Sequence, residues 1–286
     1  MSKIIITAKQ LEHLSNVVKE QARANNGAVR AYSFDWDDNI LHMPTKIAID
    51  YNNGTEWVPT LITTEMFSKV RENENFRVNE DSFVNFRNDN VFFDDLNEAL
   101  QKRSFAPSFE KFKESLIYAN PFSIITARGH TPEVFPKGIK VIIGNTFSEG
   151  ELEDMLFNIK KKYPETVDYS PWDAIDFYLN ENEYHPVTSE EFGKKFGNRF
   201  INTDNPEEAK KTALRNYIEK VVNGVSKIED GNYSQLSIGF SDDDYGNISA
   251  VINLIKDELN QKYPQVNFVV YDTSSGDINK IVVKRE

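Results

Sequence analysis

Short apolar runs that stop abruptly in polar or acidic residues, separated by stretches of helical periodicity, leave this chain few ways to fold. Val29 to Trp36 is a buried-strand pattern that ends in Asp37-Asp38-Asn39, and LSIGF (236 to 240) ends just before Asp242, Asp243 and Asp244. PFSIIT (121 to 126), IKVII (139 to 143) and VNFVVY (266 to 271) read as further strands. Between them the spacing predicts helices over 108–119 with Ser108 as N-cap, over 151–163 with Leu152, Met155, Leu156 and Ile159 on one face, from Asp204-Asn205-Pro206 to about Val222, and over 247–262. Strands alternating with helices imply an α/β fold with a mainly parallel sheet. Leu11, Leu14, Val17 and Val18 add an amphipathic helix over 8–24, closed by Asn26-Gly27.

From 41 to 107 the alternation breaks down. Asn53-Gly54 is a hairpin signal between IAIDY and EWVPTLI, and polar aromatic stretches follow. The expected organisation is a discontinuous core, 1–40 with 108–286, around an inserted cap or lid at 41–107, with a second decoration at 165–203.

Charge narrows the partners. The 45 acidic residues outnumber 33 Lys and Arg, so the formal charge is −12, which disfavours sequence-independent nucleic-acid binding. A small phosphorylated substrate is compatible with it, because a divalent cation reverses the field inside a carboxylate pocket. There is no cysteine, hence no disulfide and no thiolate metal site. The N-terminal apolar run is three Ile, too short for a signal-peptide core or a membrane span. A soluble, cytoplasmic protein is expected.

Four features carry chemistry: YSFDWDDNI (32 to 40), SIITARG (123 to 129), the helix start AKKTALRNYIEK, and IGFSDDDYGN (238 to 247). In a parallel sheet the C-terminal strand ends share one edge, where such sheets bind ligands. Asp35 and Asp37 can work as nucleophile and acid/base. Asp35, the Asp37 carbonyl and a carboxylate from Asp242 to Asp244 are the hard oxygens that Mg²⁺ requires. Thr126 offers a hydroxyl, and Lys211 an ammonium, to phosphoryl oxygens.

This order of motifs resembles the haloacid-dehalogenase superfamily over roughly residues 30 to 245. The resemblance implies a Rossmann-like three-layer core and Mg²⁺-dependent phosphate monoester hydrolysis. It further implies Asp35 as the residue phosphorylated, Asp37 as acid/base, Thr126, Ala127, Arg128 and Lys211 around the phosphate, and Asp35, Asp37, Asp242 and Asp243 around the metal. Two positions depart from the family pattern: Asn39 stands where Thr or Val is usual, and FSDDD replaces a Gly-Asp start. Asp244 therefore competes for the metal, and Lys210 and Lys227 compete with Lys211.

Each motif alone has a plainer reading, as a turn after a strand or a solvated acidic loop. His13, His42, His130 and His185 lack metal-ligand spacing. His42 or Lys46 can grip substrate or simply lead into the cap. The competing functions are a polynucleotide-end phosphatase, a receiver domain, which lacks the second Asp, and a catalytically silent protein on the same fold.

Overall fold

Alternation along the first strand, β1 (Ala28–Phe34), organises the molecule. Val29 and Ala31 enter one apolar cluster, whereas Tyr32 and Phe34 enter another on the opposite face. The computed structural model describes residues 28–203, 206–226 and 235–284. The helix expected over 8–24, the helix start at Asp204-Asn205, and Lys227 lie outside the described residues.

In chain order β1 is followed by β2 (Ile47–Asn52), β3 (Trp57–Ile62), α1 (Thr64–Val70), β4 (Phe76–Val78), α2 (Asp89–Gln101), α3 (Phe109–Ile117) and β5 (Phe122–Thr126). Then come α4 (Val134–Thr146), α5 (Glu149–Lys162), α6 (Pro171–Asn180), β6 (Glu183–Pro186), α7 (Glu190–Phe196) and α8 (Pro206–Ser226). The chain closes with β7 (Gln235–Asp242), α9 (Tyr245–Leu254), β8 (Val266–Asp272) and β9 (Asn279–Val282). The result is an α/β fold whose mixed six-stranded sheet runs β6-β5-β1-β7-β8-β9, all neighbours parallel except β8 and β9.

Helices cover both faces. Ala209, Ala213, Leu214 and Tyr217 of α8, with Ile248 and Val251 of α9, pack on the Val29 face. Residues from α2 to α6, among them Phe92, Phe112, Ile139, Met155 and Tyr178, pack on the Phe34 face. Among the described residues no helix is long and apolar enough to cross a membrane.

Between β1 and β5 the chain forms a second, antiparallel sheet, β3-β2-β4. It has its own cluster of Ile47, Ile49, Ile62, Val70 and Phe86. The expected hairpin is there: Asn52 pairs with Trp57, Gly54 takes φ +94°, and the Asn53 side chain accepts from the Thr55 and Glu56 amides. Helix α2, later in the same stretch, buries Phe92 and Leu96 against the main sheet instead.

The strand expected at 139–143 is helical. Val134, Phe135, Gly138, Ile139, Ile142 and Ile143 are the buried positions of α4, a helical spacing that outweighs the β propensity of Val and Ile. Two short edge strands, β6 and β9, had no clear signal. Ser108 precedes α3 without capping it, because its hydroxyl pairs with Ser241 Oγ at 2.6 Å.

Gly239, central in β7, lies under two aromatic rings. A Cβ there would sit 2.9 Å from Tyr271 and 3.0 Å from Tyr32. Gly239→Ala is expected to cost about 1–3 kcal/mol by overpacking, measured as a shift in the urea midpoint at constant slope.

Candidate functional site

Strand register brings the first two acidic groups together. Phe34 is paired with Ser241, and the Asp35 amide donates to the Ser241 carbonyl at 2.9 Å, so Asp35 and Asp242 end adjacent parallel strands. Alternation places Asp35 on the face of Val29 and Ala31, and Asp242 on the face of Leu236, Ile238 and Phe240. That face is the one covered by α8.

Lys210 belongs to the inward stripe of α8. It is 3% exposed, and its ammonium lies 2.9 Å from Asp242 Oδ2 and 3.2 Å from Asp35 Oδ2. Lys211, turned about 100° around the helix, pairs with Glu208 on the outer side. The lysine that meets Asp35 is therefore Lys210, which corrects the expectation of Lys211. The signal was present in the sequence, since Lys210 shares a stripe with Leu214 and Tyr217.

Asp243 completes the group. Oxygens of Asp35, Asp242 and Asp243 all lie within 4.8 Å of one another. Burial pushes the Asp35 carboxyl up from 3.8 to about 8, against the pull of Lys210 and with further push from Asp242 and Asp37. Burial also raises Asp243 well above the usual carboxylate range, with Asp242 and Asp35 adding to it. For Lys210 burial acts downward, but Asp242 and Asp35 outweigh it and hold the ammonium well above its ordinary value. One ammonium does not balance three crowded carboxylates. Asp35 Oδ1 is buried with no hydrogen-bond partner, and the donors are hard oxygens. The residues thus fit a hard divalent cation, without identifying which one.

Asp244 has a different task. Its Oδ1 caps α9, accepting from the Gly246 and Asn247 amides at 2.7 and 3.2 Å. Asn247, which the sequence did not single out, donates to Asp242 Oδ1 at 3.0 Å and so orients that carboxylate.

Asp37 has a different partner from Asp35. Its two oxygens accept from Arg128 Nε and Nη2 at 2.8 and 2.6 Å. Arg128 also donates to Thr45, approaches His130 Nε2 at 3.2 Å, and lies over the rings of Phe86 and Phe92. Burial and the Arg128 charge lower His130 to about 3, so a neutral imidazole accepts from Arg128 through Nε2 while Nδ1–H faces Asp89. Arg128 is 1% exposed, and in this arrangement it clamps Asp37 instead of offering itself to phosphate. Thr126 is buried at the end of β5, its hydroxyl accepting from the Arg128 amide at 3.3 Å. Ala127 is exposed, and its carbonyl accepts from Thr188.

Asn39 fastens the loop. Its Nδ2 donates to the carbonyls of Asp35 and Ser241, both at 3.2 Å, and its Oδ1 accepts from Ser241 Oγ at 2.9 Å and Thr273 Oγ1 at 3.0 Å. Asp38 adopts φ +53° and accepts from His42 and from Thr64 of α1. Asn39→Ala is expected to cost about 2–4 kcal/mol by orphaning buried partners, read from chemical denaturation, with any phosphate-releasing activity falling in parallel.

A surface depression of about 560 Å³, bounded by Arg87, Asn88, Gly129 and Thr131, opens beside Arg128 and is not lined by Asp35. Comparison with protein-family models, curated proteins and solved structures found no match.

Proposed function

We propose that this protein is a Mg²⁺-dependent phosphate monoester hydrolase of the haloacid-dehalogenase type, acting on a small phosphorylated molecule, with the three-stranded insert as its cap. The observation that carries the reading is the Asp35–Asp242–Asp243 group with Lys210 between its first two members. Buried, converging carboxylates with an orphaned oxygen support a cation-dependent site, because structural acidic loops leave their charges in water.

Asp35, Asp242 and Asp243 would hold the cation, which supplies charge neutralisation to the phosphoryl oxygens. Asp35 attacks phosphorus through one carboxylate oxygen, the bond to the ester oxygen breaks, and the departing alkoxide takes a proton from Asp37. Water then attacks the aspartyl phosphate, gives its proton to Asp37, and releases phosphate with Asp35 restored. Lys210 and the Thr126 hydroxyl steady the phosphoryl oxygens. In the Arg128 fork Asp37 is an ionised acceptor, so it acts as acid only once its carboxylate turns out of the fork and takes up a proton from solvent, and reaction requires that loop to rearrange.

The test is phosphate release from an aryl phosphate and a panel of metabolite phosphates, with and without chelator, for wild type and Asp35→Asn. Turnover lost on chelation and lost by at least about 10³-fold in the variant supports the reading. A wild type that turns over nothing and binds no divalent cation leaves a silent protein on this fold as the better account.

A further inference from the structure

Arg71, at the C-terminal end of α1, reaches from the smaller sheet unit to the rim of the acidic group. One guanidinium nitrogen lies 3.3 Å from Asp244 Oδ2 and another 3.4 Å from Glu207 Oε1. Asp244 follows Asp243, and its amide donates to Asp242 Oδ1 at 3.0 Å. Glu207 lies in the first turn of α8, one turn before Lys210. Arg71 thus touches two of the three core segments that build the site, α8 and the turn after β7.

The contacts are of a kind that exchanges readily. Each is a single long approach, whereas Arg and a carboxylate favour a short two-bond fork. The Arg71 and Glu207 side chains are 30% and 36% exposed and Asp244 17%, and the more exposed pair contributes little to stability. Gly246 leaves room for the three to meet, since a Cβ there would lie 2.9 Å from Asp244 Oδ1, 3.1 Å from Glu207 Oε1 and 3.2 Å from Arg71 Nη2. The unit that carries Arg71 has an apolar cluster of its own, and Arg71 reaches the core through these two ion pairs.

Resting on the phosphatase reading, we propose that Arg71 is a substrate-recognition residue. It gives up Asp244 and Glu207 for a second anionic group, carboxylate or phosphoryl, on a phosphorylated molecule whose scissile phosphate sits against Asp35 and Lys210. Arg71 pairs with Asp244 and Glu207, whereas Lys210 pairs with Asp35 and Asp242, so Arg71 is assigned to the outer group and not to the phosphate transferred. Asp244 and Glu207 add negative charge to a rim that a doubly anionic ligand must cross, and Arg71 offsets it there. A neutral tail gives Arg71 nothing to exchange for.

Two phosphonates that cannot be hydrolysed make the test: phosphonoacetate, with a second anionic group, and ethylphosphonate, without one. Their binding is measured by titration calorimetry with Mg²⁺ present, for wild type, Arg71→Ala and Arg71→Lys. Arg71→Ala is expected to weaken phosphonoacetate by about tenfold to a hundredfold and ethylphosphonate by less than about threefold, with Arg71→Lys between. Equal weakening of both ligands would show that Arg71 only fastens the insert, and no weakening of either would also overturn the proposal. If wild type binds neither phosphonate and hydrolyses no ester, the phosphatase reading itself fails. Ester hydrolysis with no dependence on the second charge sinks the role of Arg71 alone.

Discussion

Asp35→Asn is expected to make the protein more stable in the presence of chelator while abolishing phosphate release. Asp35 is buried among like charges, and its carboxyl rises from 3.8 to about 8 on folding. An acid whose folded value lies above its unfolded value binds more protons in the folded state. Its contribution to stability therefore declines as pH climbs from about 4 to about 8. Asn removes that decline and leaves Lys210 paired with Asp242. After allowance for the lost Lys210 contact, we expect a gain of about 1–3 kcal/mol at pH 8 and little at pH 4. Added Mg²⁺ reverses the order, because a cation held at a hundred times its Kd stabilises the wild type by about 2.7 kcal/mol and the variant less. Thermal melts at the two pH values, with chelator and with Mg²⁺, decide it. A variant less stable than wild type in chelator at pH 8 would mean that the carboxylates do not repel as described.

The second large effect separates two adjacent lysines. Lys210→Met keeps the aliphatic stem and deletes the ammonium, leaving Asp35 and Asp242 buried without their counter-charge. Removing one partner of a buried ion pair costs about 3–5 kcal/mol, and loss of a preorganised phosphate-facing cation costs about 10²–10³-fold in kcat. Lys211→Met removes the half-exposed pair with Glu208, and should stay within about 0.5 kcal/mol and near full activity. Denaturation midpoints and initial rates for both variants are the measurements. If Lys211→Met proved the damaging change, the inward stripe of α8 would not be the one described.

The central strands that end at the site were legible in the sequence. Asp35, Thr126 and Asp242 stand at the ends of short apolar runs, and β1, β5 and β7 form where those runs predict. What depended on packing between distant segments was not. The resemblance implies Arg128 around the phosphate, and its clamp on Asp37 shows only once Phe86, Phe92 and Thr45, all from a stretch without clear periodicity, close around it. The run IKVII has the composition of a strand, and its helical burial is visible only once Val134 and Phe135 are counted with it. Strand β6 (EYHP) is half polar because it lies at the sheet edge with β5 as its partner. The choice between Lys210 and Lys211 was a matter of helical phase that the apolar stripe could have settled.

Asn39 bonds to Ser241 across 202 residues of chain. Closing a loop of that size is entropically costly and contributes to slow folding. The crowding that raises Asp35 therefore arises only when β1 and β7 zip together. A fragment ending before β7 leaves Asp35 without the Asp242 and Asp243 carboxylates that crowd it. The reactivity argued for this side chain is thus a product of long-range chain closure, acquired along with the finished sheet.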